Sequence, residues 1–252
     1  MSLVQLTRDG SVASLCLHRP EAMNALSPAL LEALIAALQA CCDDPPAVLI
    51  LEGAGRAFSA GVDLKILQTA SPKHGRLAGA YAGQDEAVIN LLRALPCPVI
   101  AKVHGACFTG ALELALHCDL LYTTGDTRFG DTHAKFGIRP SWGMSQNLPA
   151  AVGMRRAKEL SYTARTFSGA EAAAWGLANE AVADKAALDA LVAERASQIA
   201  ANSQATVAAI KDLHRVAEAM PLAAGLVEEL ARDYPEIQDT EARLAQFKKL
   251  KR

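Results

Sequence analysis

Charge imbalance, long apolar runs, metal-spaced cysteines and nucleotide-binding loops are all missing from this chain of 252 residues. Lys and Arg number 25 against 27 Asp and Glu, a net charge of −2, so there is no general electrostatic reason to expect a nucleic-acid partner. No apolar run reaches the roughly 20 residues that a membrane-spanning helix needs, and no basic region followed by an apolar stretch opens the sequence. A soluble, cytoplasmic protein without a membrane partner is expected. The six cysteines are scattered, apart from Cys41 and Cys42, with neither zinc spacing nor the pattern of a disulfide-stapled scaffold. That usage fits a reducing compartment, and no metal site is expected. GxxxxGK[ST] and GxGxxG are absent, which argues against ATP and nicotinamide cofactors. Ser141 and Ser145 sit outside any GxSxG elbow, which argues against a serine hydrolase.

What is present is a composition 51% hydrophobic, enough to bury a large core as one domain or one domain with an appendage. SLVQLTR and VASLCLHR flank Asp9-Gly10, a hairpin signal, because glycine accepts the positive φ of a tight turn. Ser27-Pro28 is an N-cap followed by a first-turn proline, and LLEALIAALQA after it has amphipathic spacing. AVLILEG, VIAKVHG and DLLYTT read as strands; LKIL and Glu86 to Leu95 read as helices. This alternation predicts α/β architecture. From Ala186 onward the pattern is nearly all helical, with breaks at Met220-Pro221 and Tyr234-Pro235. Ser71 to Gly83 is rich in small and turn-forming residues and reads as a mobile loop.

Two segments carry the chemistry. In GRAFSAGVDLKIL, from Gly55, and VHGACFTGALELALHCDLLY, from Val103, small residues sit where an apolar segment gives way to a helix. Helix starts carry unpaired N–H groups and partial positive charge, so two converging starts can hold one carbonyl oxygen that becomes enolate-like. Glu113 lies one turn into the second helix. Its ordinary reading is a solvated helix glutamate; burial near a thioester would instead raise its pKa and suit it to proton transfer. His117, four residues on, shares its face and is read either as an orienter of Glu113 or as a structural histidine.

Five blocks in order, LHRPEAMNALSPALLEAL, AFSAGVDLK, HGACFTGALELALHCDL, TRFGDTHAKFGIRPSWGMSQNLPAAVG and FSGAEAAAWGLANE, resemble the crotonase superfamily, the enoyl-CoA hydratase/isomerase family. The resemblance implies a spiral of ββα units with a C-terminal helical region: a core over 1–190 holding the CoA-thioester site and a helical oligomerisation region over 191–252, assembled as homotrimers or hexamers. It implies that the oxyanion donors are the N–H groups of Val62 and Gly110. It carries the catalytic role of the first hydratase glutamate to Glu113. The second glutamate of the hydratase pattern follows a Phe-Gly pair, where this chain has His133, with Asp131 and Thr132 as neighbouring alternatives. The unperturbed pKa of histidine, about 6.5, permits acid or base work near neutrality.

Coenzyme A, as part of the substrate rather than a separate cofactor, is expected at Ala25, Leu26, Ala60, Asp63, Leu64 and Lys65. The acyl group is expected between Leu64 to Ala82 and Ile138 to Leu148. The end, with Phe247, Lys248 and Lys249, resembles family termini that approach nucleotide phosphates, and a solvated basic tail is the favoured reading. The expected reaction is hydration of a 2-enoyl-CoA to a 3-hydroxyacyl-CoA, in the setting of fatty acid metabolism. Double-bond isomerisation, decarboxylation and non-catalytic acyl-CoA binding are the alternatives that the departure at His133 keeps open.

Overall fold

The computed structural model describes residues 2–69, 73–77 and 81–250. Part of the loop read from Ser71 to Gly83 therefore lies outside the described residues.

In chain order the elements are β1 (Val4–Asp9), β2 (Val12–Leu17), α1 (Pro28–Asp43), β3 (Val48–Gly53), α2 (Leu64–Thr69), α3 (Gln84–Ala94), β4 (Val99–Val103), β5 (Ala106–Phe108), α4 (Gly110–Leu116), β6 (Leu120–Thr124), β7 (Arg128–Gly130) and α5 (His133–Phe136). They continue with α6 (Met144–Val152), α7 (Met154–Thr163), β8 (Phe167–Ser168), α8 (Gly169–Ala174), β9 (Glu180–Val182), α9 (Lys185–Ala200), α10 (Gln204–Ala219), α11 (Leu222–Ala231) and α12 (Thr240–Leu250). Local chemistry explains the first of them. Gly10 takes φ +57° in the β1–β2 turn. Ser27 caps α1 by accepting from Leu30 N, and Pro28 fills the first helical position, where no N–H is needed.

The larger sheet runs β1-β2-β3-β4-β6-β9, and the smaller runs β5-β7-β8. Successive strands alternate between them: β4 enters the larger sheet, β5 the smaller, and α4 follows; β6, β7 and α5 repeat the turn. The bridge between Ser59 and Cys107 adds the segment after β3 to the same order, with α2 as its helix. The result is a spiral of ββα turns.

Register explains why the central strands read as unbroken apolar runs. Leu15, Leu51, Ala101 and Leu121 pair across four strands and are buried in the main core with α1. Ile50, Ile100 and Tyr122 point the other way and are buried under Leu188, Leu191 and Val192 of α9. Both faces being covered, parallel strands need no polar alternation. Residue 190 lies inside α9.

Beyond α9, Lys211 of α10 is buried and donates to Cys97 O at 2.8 Å and to Asp119 Oδ2 at 2.7 Å, tying this helix to the loop before β4 and the start of β6. α11 has no buried residue, and Leu222 and Leu230 are 80% and 89% exposed. No helix among the described residues is long and apolar enough to cross a membrane.

Asn24, fully buried, holds the loop before α1. Its Nδ2 donates to Ala54 O, Ala57 O and Phe58 O at 2.8–3.1 Å, and its Oδ1 accepts from Arg19 N at 2.8 Å. Asn24→Ala leaves these backbone groups buried without partners and is expected to cost about 3 kcal/mol, measured by urea unfolding; a loss below about 1 kcal/mol would contradict this account.

Candidate active site

β5 delivers the chain to α4 through Thr109, whose φ of 49° and ψ of −107° are strained for a β-branched residue. Thr109 N donates to Gly130 O at 2.8 Å, and its hydroxyl pairs with that of Thr132, so β7 holds the strained residue in place. Opposite it, Gly61 sits at φ +88°, where a Cβ would lie 2.4 Å from Phe108 O and 3.7 Å from Gly110 N. The absence of a side chain there lets the two segments meet. A Cβ on Gly110 would in turn lie 3.5 Å from Val62 Cγ2. The backbone at Gly61 and Val62 thus packs closely against that at Gly110. Among the described residues, neither the Val62 N–H nor the Gly110 N–H is taken by a turn, loop or side-chain acceptor.

Glu113 is 2% exposed, not the solvated helix glutamate of the simpler reading. Its Oε1 accepts from Trp142 N at 3.1 Å and Met144 N at 3.2 Å. Burial raises its carboxyl above the ordinary range, partly offset by the nearby His133 charge and those two N–H groups. His117 does not touch the carboxylate. Its Nε2 donates to Trp142 O at 2.6 Å, holding the peptide between the two whose N–H groups bind Glu113.

His133 begins α5, is buried, and turns Nε2 toward Glu113 Oε2 at 3.6 Å, too far for a hydrogen bond but close enough to serve the same volume. Its Nδ1 lies 2.7 Å from Asp131 Oδ1. Asp131 points at His133 and Thr132 at Thr109, so of the three neighbouring positions His133 is the one that faces Glu113.

A cavity of 680 Å³ opens over these groups and is lined by Ala60, Val62, Thr109, Glu113, Thr132 and His133, with further walls from both expected acyl segments, including Tyr81, Ile138 and Trp142. Of the expected coenzyme A positions, Ala60 lines this cavity. Ala25 and Leu26 are buried behind it, and Leu26 N donates to Gly61 O at 2.8 Å. Asp63 is also buried; it forms an ion pair with Arg19 at 2.5 Å and accepts from Lys65 N at 2.9 Å, a structural use of its side chain. Leu64 and Lys65 open α2. Phe247, Lys248 and Lys249 lie on α12, their side chains outside the described residues.

Sequence reading missed Asn24 as a polar hub, the two N–H groups on Glu113, and Tyr81, whose hydroxyl donates to Leu26 O at 2.9 Å. The signal for Asp131 was its place two residues before a histidine, where a short carboxylate can also reach the backbone N–H ahead of it.

A family description of Enoyl-CoA hydratase/isomerase matches residues 7–247. The chain belongs to this family. It is 38% identical over 179 residues to a crotonyl-CoA hydratase of Syntrophomonas wolfei, covering 70% of this chain and 68% of that one. It is 34% identical to a peroxisomal Delta(3,5)-Delta(2,4)-dienoyl-CoA isomerase of Arabidopsis thaliana, over 84% of this chain and 80% of that one. The solved structure of an enoyl-CoA hydratase from Bacillus anthracis superposes with a TM-score of 0.91 at 31% identity, covering 99% and 97% of the two chains. The fold is the crotonase fold.

The raised Glu113 carboxyl has a consequence for stability. Below the ordinary carboxylate range the group is protonated folded or unfolded; as pH rises through that range the unfolded carboxyl ionises ahead of the folded one, so the native state is penalised. Glu113→Gln keeps an acceptor for both N–H groups and is expected to raise Tm by roughly 2 °C or more at pH 7, with little gain at pH 4. Calorimetry at the two pH values checks it; an equal change at both would contradict the assigned burial effect.

Proposed function

We propose that the protein hydrates 2-enoyl-CoA thioesters, using Glu113 and His133 as its proton-transfer pair. The observation that carries this reading is the 3.6 Å approach of Glu113 Oε2 and His133 Nε2 in one cavity, beside the closely packed backbone of Val62 and Gly110, whose N–H groups we assign as the oxyanion donors. The thioester oxygen accepts from these two N–H groups, which favour the charge that develops on it in the transition state. Water adds through oxygen to the β-carbon while His133 Nε2 takes its proton. The electron pair of the double bond moves toward the thioester, and the α-carbon takes a proton from Glu113, whose carboxyl burial raises above the ordinary range. The proton on His133 then returns to Glu113. This balances without a metal or redox cofactor, coenzyme A being part of the substrate.

Backbone groups near Ala25, Leu26 and Ala60 and the start of α2 at Leu64 and Lys65 are our assignment for the coenzyme A moiety, together with Asp63 as the residue that orders that turn. The setting we assign is cytoplasmic fatty acid metabolism, and six unpaired cysteines support a reducing compartment. We assign the 191–252 region to self-association as a trimer or hexamer, on the apolar face that α11 leaves uncovered. A Leu230→Asp variant is then expected to sediment as a smaller species than wild type; an unchanged size would remove α11 from the interface.

Double-bond isomerisation is the second reading, supported by the likeness to a dienoyl-CoA isomerase. There Glu113 moves a proton between carbons and no water is added. Loss of the conjugated-thioester absorbance of crotonyl-CoA, with product identification by mass, separates the readings. Glu113→Ala and His133→Ala are each expected to lower kcat by about 100-fold or more. Unaltered hydration in folded Glu113→Ala would sink the mechanism. Tight binding without turnover across several acyl-CoAs would favour a binding protein.

A further inference from the structure

The pair Glu113 and His133 does not stand alone. Asp131 is 1% exposed, and each of its carboxylate oxygens has a defined donor. Oδ1 accepts from His133 Nδ1 at 2.7 Å and from the His133 backbone N–H at 3.2 Å, while Oδ2 accepts from Ser161 Oγ of α7 at 2.7 Å. Burial alone would raise the Asp131 carboxyl, but the hydrogen bonds from His133 and Ser161 and the nearby His133 charge hold it below the ordinary range. It is therefore ionised at neutral pH and can only accept. A ring nitrogen 2.7 Å from an acceptor-only oxygen must carry the hydrogen.

We infer that Asp131, clamped by Ser161, is a positioning residue that keeps His133 in the tautomer protonated at Nδ1, leaving Nε2 as the proton acceptor toward Glu113. This rests on the proton-transfer pair proposed above and adds to it a buried carboxylate that selects the tautomer, fixes the ring plane and favours the imidazolium formed during turnover. Two donors from one residue on one oxygen leave the ring little rotational freedom. Ser161 brings α7 into the arrangement, so the helix that begins at Met154 supports the chemistry without touching substrate. In His-carboxylate pairs of this kind the second partner governs orientation and basicity, and its loss lowers activity without contact with the reacting atoms.

The test uses full-length protein labelled with 15N in histidine, the His133 signals being identified by their absence in His133→Gln. In wild type the Nδ1 shift is expected to be that of a protonated ring nitrogen and Nε2 that of an acceptor. Asp131→Ala should move population to the opposite tautomer and lower kcat for crotonyl-CoA by about 100-fold, with KM within about threefold. Asp131→Asn retains a carbonyl oxygen for Nδ1 and an amide for the Ser161 hydroxyl. It should keep the wild-type tautomer and lose about tenfold in kcat, since the negative charge is gone. If Asp131→Ala does not fold, Asp131→Asn carries the test, and unchanged kcat there would overturn the inference. An unchanged tautomer in folded Asp131→Ala would overturn it as well. The spectra are read without turnover, so they report on Asp131 even if hydration itself is absent.

Discussion

Removing the carboxylate of Glu113 from water is the constraint that the site is built around. A buried acid needs donors, and these come from the backbone at Trp142 and at Met144, where a loop enters α6 and must itself be held. His117 holds it from below through Trp142 O. The Trp142 ring meets Tyr81 edge-on with centroids 5.3 Å apart, Tyr81 bonds to Leu26 O, and Leu26 N bonds to Gly61 O beside Val62. A chain of contacts thus runs from the acid to the segment carrying Val62, the first of the proposed oxyanion donors. These contacts fix the described part of the cavity wall, which reduces the ordering left to be done on binding.

The sheets make such placement possible. Each turn of the spiral sends one strand into the larger sheet and one into the smaller before its helix begins, so each helix starts where the chain leaves the smaller sheet. Packing both faces of the larger sheet, by α1 on one side and α9 on the other, leaves little freedom for its strands to shift. The backbone strain at Thr109 persists because β7 bonds it and the hydroxyl of Thr132 braces it. Strain of this kind survives only where the surroundings over-determine it.

Much of the architecture was legible because its causes are local. Asp9-Gly10 turns the hairpin, Ser27-Pro28 starts α1, and the apolar runs of β3 and β4 announce strands buried on both faces. α3 starts at Gln84, ahead of the expected Glu86, because Gly83 at φ +86° already ends the preceding loop. The spiral came from the resemblance and not from periodicity, since nothing local says which sheet a short strand joins. The state of Glu113 was open for the same reason: its donors lie 29 and 31 residues downstream. Asn24 bonds to groups 30 to 34 residues away, and no pattern in MNALS reports that. His133 was visible as a departure, but the carboxylate behind it became a partner only when the ring direction was known.

The contact between Asp131 and His133 also bears on how such a site can change over generations. Placing a glutamate at position 133 alone would set a third carboxylate between Asp131 and Glu113, in a space where burial already disfavours one. The two like charges nearest each other could not both ionise, and the proton economy of the pair would be lost rather than exchanged for that of two glutamates. On this geometry the cost of a glutamate at position 133 depends on what stands at position 131, and a neutral residue there would lower it.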